Sequence, residues 1–262
     1  MTVRASFLRR LDLPEDLPAK SVEFEWHGMA EHLAPINATP LAKALMKKTN
    51  SALLTLGAGC LLWAEKRLRF VTDAEPLALI AEVTLLWEDS PHYYHHPGPR
   101  PAPTLKTPQY EAVVALFYQT TSIFKTAVGR HISHPPVQTI ENLFALTRHV
   151  LGEEWTPAFR EWTKQAIATM NRLAPNPHQD FRDRFDFDSD EEWEAYKALN
   201  MGRPIAIEAC NPGSDLSNEQ SDALYLDFML EADPAENRYL ALPDLMESRG
   251  FSGTPYRPRS RQ

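Results

Sequence analysis

Cysteine is nearly absent from this chain: Cys60 and Cys210 are the only two in 262 residues. They lie far apart in sequence and in no CxxC or metal-ligand spacing, which excludes a disulfide framework and points to a reducing compartment. Glycine is also scarce, at 10 residues against 22 prolines. Hairpin-rich sheets need glycine at their turns, so this balance favours helices joined by stiff connectors over an all-β fold. Positive charge is in the minority, with 27 Lys and Arg against 35 Asp and Glu and a formal net charge of −8. Such a balance does not suit a surface that neutralises phosphates, so no direct nucleic-acid binding is expected and a basic protein is the better electrostatic match.

Long apolar runs are missing too. The most apolar stretch, 51–64, is too short to span a bilayer and is flanked by Lys47, Lys48, Lys66 and Arg67. The first 17 residues carry Arg4, Arg9 and Arg10 without a following apolar run or small-residue cleavage site. The expectation is a cytoplasmic protein with no membrane association. A Ser nucleophile elbow, a Walker loop and a dinucleotide glycine fingerprint are all lacking; Gly57-Ala58-Gly59 falls inside a helical run, not after a strand. No catalytic residue is assigned and no cofactor is expected.

What is present is helical punctuation. Thr39-Pro40, Thr107-Pro108 and Thr156-Pro157 each open an apolar stretch of helical spacing. Threonine caps the free N–H groups of a first turn, and proline loses nothing at the first helical position. The spacing predicts helices over 40–69, 73–88 with Asp73 as cap, 108–128, 136–151 and one following Thr156 to about 173. The small residues Ala52, Gly57, Ala58, Gly59 and Cys60 predict that the first of these is central and closely approached, since glycine costs about 1 kcal/mol in a helix interior unless it admits a neighbour. The fold class is all-α: a bundle of about five core helices over 39–175, an N-terminal arm over 1–38, and a partly irregular helical extension over 176–262. In the arm, Val22, Phe24 and Trp26 alternate with polar residues as in a short strand. In the extension, Ser217 with Gln220 predicts a capping box, and Gly250 the end of a short helix from Pro243.

Three places have chemical potential. His92, His95 and His96 sit in a Pro-rich connector, where neighbouring imidazoles suit a transition metal, with His131 and His134 as further donors; no Cys or HExxH companion completes a coordination sphere. Asp186, Asp188 and Asp190 alternate like calcium-loop ligands, but Glu191 replaces the required glycine and Lys197 the terminal glutamate, so capping of a helix by Asp188 or Ser189 is the better reading. The third is an acidic-aromatic segment. Asp183, Asp186, Asp188, Asp190, Glu191 and Glu192 are interleaved with aromatics including Trp193, a combination that steers and grips a basic protein partner. The competing reading is that the aromatics anchor the segment while its charges stay solvated.

The last third resembles a known group. Gly202-Arg-Pro-Ile-Ala-Ile-Glu-Ala-Cys-Asn-Pro212, then Asn237-Arg-Tyr-Leu-Ala-Leu-Pro243 and Gly250-Phe-Ser-Gly-Thr-Pro-Tyr256, are similar in texture to helical bacterial immunity proteins of polymorphic-toxin and type VI secretion systems. The resemblance covers less than a third of the chain and transfers no functional residue. It implies a non-enzymatic cytoplasmic inhibitor of a cognate toxin, and the acidic balance suits a basic nuclease toxin. The alternatives are a metal-dependent helical enzyme using the His-rich connector and a secretion-system adaptor or scaffold.

Overall fold

In the computed structural model, which describes residues 5–18, 21–34, 39–95, 107–127, 136–176, 182 and 184–257, every regular element is helical. In chain order these are α1 (Ala5–Leu8), α2 (Met29–His32), α3 (Pro40–Leu45), α4 (Asn50–Leu68), α5 (Glu75–Trp87), α6 (Pro108–Ala127), α7 (Val137–Leu173), α8 (Asp190–Met201), α9 (Asn218–Glu231) and α10 (Pro243–Ser248). The protein is all-α, and the described residues contain no strand.

Helix α4 is the axis of the fold. Every residue of it except Lys66 is buried, and it packs most extensively against α5 and α7. Its glycines permit the approach. A Cβ added at Gly59 would lie 2.6 Å from the Trp162 indole of α7, and one at Gly57 would lie 2.8 Å from Ile140 Cδ1. Trp162 stacks on Phe159 at 5.4 Å, and Trp63 of α4 meets Phe159 edge-on at 5.5 Å.

Two of the three Thr-Pro pairs start helices as expected. Thr39 Oγ1 accepts from Ala42 N at 3.0 Å, and Thr107 Oγ1 from Tyr110 N at 3.3 Å. The third does not. The helix after 151 resumes directly past Gly152, whose φ of 69° and ψ of −173° break α7 without an intervening loop. Thr156 and Pro157 therefore lie within the restarted helix, and the Thr156 hydroxyl donates back to Gly152 O at 2.6 Å. The glycine break, not the capping pair, sets the start. Two further boundaries differ from the sequence reading. The 40–69 stretch divides into α3 and α4, because the backbone of Lys47 to Thr49 bonds across the fold: Thr49 N donates to Ala174 O at 3.2 Å, and Asn176 N to Lys47 O at 2.8 Å. Helix α5 begins after Ala74 with no side-chain cap, so Asp73 does not fill that role.

The arm and the extension share one continuous core with the bundle, running from Phe7 to Tyr256. Residues 21–27 form no regular element, yet the alternation read from sequence still orders them: Val22 is buried and Phe24 and Trp26 are half-buried, with exposed neighbours between. Arg10 pairs with Glu208 at 2.7 Å and Glu231 at 3.0 Å. Asn211 clamps the same segment, its amide donating to Arg10 O at 3.1 Å and its Oδ1 accepting from Asp12 N at 2.6 Å. Asn211→Ala is expected to cost about 1–2 kcal/mol, the worth of two ordinary hydrogen bonds. Faster hydrogen exchange over 7–13, with α4 unaffected, would check it.

Of the three stretches that carry the resemblance, the first is the most buried. Ile205, Ala206, Ile207, Ala209 and Cys210 are buried, and Ile205 N donates to the buried Glu88 at 2.9 Å. Asn237 reaches α5, donating to Leu79 O at 2.8 Å and Glu82 Oε2 at 3.0 Å. Ser217 and Gln220 form the expected capping box of α9, and Gly250, at φ 82°, follows α10.

Candidate binding surfaces

The acidic-aromatic segment separates into an anchored face and a solvated one. Ser189 caps α8, accepting from Glu192 N at 3.1 Å. Helical spacing then turns Trp193 and Tyr196 inward, where both are buried. Their rings stack at 5.8 Å, and Phe187 lies 5.4 Å from Trp193 and 4.9 Å from Tyr196. The far end of α8 is seated on α4: a Cβ at Gly202, where φ is 74°, would lie 2.7 Å from Thr49. Trp193 is thus an anchor with 0% exposure, and its indole does not belong to a docking face in this structure. This corrects its grouping with the contacting residues.

The carboxylates point the other way. Asp186, Asp188, Asp190, Glu191, Glu192 and Glu194 are all exposed. Two cations balance part of the charge from within: Arg184 meets Asp190 at 2.6 Å and Lys197 meets Glu194 at 2.6 Å. Three acids in the first turn of α8 complement its positive end. Phe185 protrudes beside them, 94% exposed. Asp183 lies outside the described residues.

Of the connector's three histidines, His92 and His95 lie among the described residues. Tyr93 and Tyr94 are buried, and His92 lies edge-on to Phe251 at 5.7 Å. The backbone of His95 is tied to the C-terminal extension, its N–H donating to Tyr239 O at 2.9 Å. His96, His131 and His134 lie outside the described residues. Among the described residues, no three His, Cys, Asp or Glu side chains are grouped to hold a metal ion.

A second surface comes from residues the sequence reading passed over. Where α7 bends at Gly152, a groove of about 740 Å³ opens between α7 and residues 31–34, Thr39 and Leu41. Phe144, Phe159 and Leu41 line its apolar part, and Arg148, Arg160, Glu31 and Glu153 are exposed along it. Glu141, 2% exposed, accepts a hydrogen bond from the Thr39 hydroxyl. At one wall the rings of His32 and His149 stack at 3.9 Å. Trp26 lies 4.6 Å from His32, and Phe24 5.0 Å from His149. His149 Nε2 donates to Glu25 O at 3.0 Å. Burial, and then the neighbouring His32, hold the His149 imidazole below its ordinary range, against the opposing pull of the Glu25 carbonyl.

Glu141, Ala145, Arg148 and Gly152 follow a helical stripe that the spacing of the sequence contains. The residues facing them come from more than a hundred positions earlier, which no local pattern reveals. Compared with known protein families, curated proteins and solved structures, the chain matches none.

Proposed function

We propose that this chain is a non-enzymatic binding protein that neutralises a basic protein toxin in the cytoplasm by covering its active surface. The observation that supports this reading is the exposed acidic side of α8 and the turn before it. Six carboxylates lie there, four on α8 and two just before it, and the other side of the helix is fixed by buried aromatics. A face held in place before binding loses little entropy on docking. Its charge accelerates encounter with a basic partner and opposes acidic ones. A nuclease toxin, whose substrate site is built to attract phosphates, presents the complementary surface. The resemblance of stretches in the C-terminal third to immunity proteins points the same way.

The test is co-expression with the product of the adjacent gene, followed by co-purification and a growth-protection assay. Neutralising four carboxylates together, Asp186→Asn, Asp188→Asn, Glu191→Gln and Glu192→Gln, is expected to weaken association at least tenfold and to flatten its dependence on salt, with α8 still capped by Ser189. Full protection by the fourfold variant would remove this face from the interface. No association with the wild-type chain would remove the proposed function itself.

A further inference from the structure

The seam between α7 and residues 21–34, which comprise an irregular stretch and α2, is held differently from the rest of the interior. The imidazoles of His32 and His149 face each other at 3.9 Å under Trp26 and Phe24. His149 Nε2 donates to Glu25 O, and further along the seam Ala34 N donates to Asn142 Oδ1 at 3.2 Å and Gln138 Nε2 to Ala34 O at 3.5 Å. Three side-chain atoms along the seam are buried without a hydrogen-bond partner: His32 Nε2, Gln138 Oε1 and Glu141 Oε2. Each such orphan weakens the closed arrangement relative to one in which water reaches it. Residues Glu31, His32, Leu33 and Ala34 also form one side of the groove at the α7 bend.

We propose that residues 21–34 are a proton-sensitive strap: protonation of the His32–His149 pair releases the segment from α7 and opens the groove it borders. Two imidazolium rings at stacking distance repel each other, and because both are half-buried, water screens that repulsion only in part. In the released state the His149 ring is hydrated and regains the ordinary histidine value of about 6.5, from which its place against α7 holds it down, so the open form binds more protons and gains population as pH falls. The charged groups around the pair are mixed. Glu25 and Glu31 from the strap and Glu141 and Glu153 from α7 favour protonation, while His27, Arg148 and Arg160 oppose it. Glu25 is engaged with His27 at 3.2 Å and is largely exposed, so it does not neutralise the stacked pair. Gln119 of α6, whose amide lies 3.4 Å from Met29 Sδ, adds no charge.

Hydrogen–deuterium exchange of the full chain at pH 7.5 and 5.5, corrected for the intrinsic pH dependence of exchange, tests the strap. Protection over 21–34 is expected to fall at least tenfold at the lower pH while α4 keeps its protection. The pair His32→Gln and His149→Gln, in which the second amide can still donate to Glu25 O, is expected to abolish the change. If circular dichroism shows that the double variant does not fold, His32→Gln alone is read and is expected to reduce the change by a factor of three or more. Equal protection of 21–34 at both pH values, a loss that persists in the variants, or loss from α4 in parallel would each overturn the proposal.

Discussion

Glu88→Ala is expected to destabilise the protein by about 3 kcal/mol or more, while Glu88→Gln stabilises it at neutral and alkaline pH. Glu88 is 4% exposed at the end of α5. Its Oε1 lies 2.9 Å from Thr55 Oγ1, and its Oε2 accepts from Ile205 N at 2.9 Å. The single hydroxyl proton of Thr55 has an acceptor in Ser51 O, also at 2.9 Å. The arrangement is fully satisfied when Glu88 is neutral, donates its own O–H to Thr55 and accepts from Ile205. Burial pushes the carboxyl well above its ordinary range, although the bonds from Ile205 and Thr55 favour the charged form. Alanine would orphan the Ile205 N–H and leave a cavity between α4, α5 and the 205–210 stretch, the two mechanisms that make core substitutions costly.

Glutamine reproduces the neutral pattern, with its amide on Thr55 and its carbonyl on Ile205. The pH dependence follows from the raised folded value. Below the unfolded carboxyl value, about 4.5, both states hold the proton and the wild-type contribution is complete. As pH rises towards the folded value, the unfolded chain releases its proton first and the contribution is lost. The advantage of Glu88→Gln over wild type therefore grows from about pH 4.5 upward. Denaturant unfolding at pH 5 and pH 8 measures it, and a Gln variant less stable than wild type at pH 8 would rule out the neutral carboxyl.

Gly59→Val is expected to cost about 3 kcal/mol, at the upper end for overpacked cores. The added Cβ would meet two indole atoms of Trp162 at 2.6 and 2.8 Å. That ring is held by Phe159, Trp63 and Phe144, so relief requires α7 to move. Gly57→Ala is the control. Its Cβ would approach Ile140 Cδ1 at 2.8 Å, the end of a flexible side chain, and the gain of about 1 kcal/mol in helix propensity offsets the adjustment. Thermal unfolding of the two variants should separate them clearly; similar losses would mean that α4 and α7 are not locked at the indole.

These two sites illustrate how far local patterns reach. The small residues of α4 announce a close neighbour, because an interior glycine is costly unless something occupies the space beside it. They do not say that the neighbour is Trp162, and they carry no sign of Glu88, which looks in the sequence like any acid at a helix end. Trp193 shows the same limit. Its acidic neighbours invite a reading as contact residue, but the phase of α8 turns the indole inward and the carboxylates outward. Asp73 and Thr156 were plausible caps by residue type, yet α5 starts without a side-chain cap and α7 restarts at a glycine.

By itself the sequence determined the helical class, the starts at Thr39 and Thr107, the capping box at Ser217, the stop at Gly250 and the close approach to α4. Each depends on residues within a turn or two of one another. Only the tertiary structure decided that residues 205–210 complete the core against Glu88, that 21–34 lies along α7, and that His32 meets His149 beside a groove. Those arrangements join segments far apart in the chain, where the deciding energy is burial and the pairing of buried polar groups, quantities that no local spacing encodes.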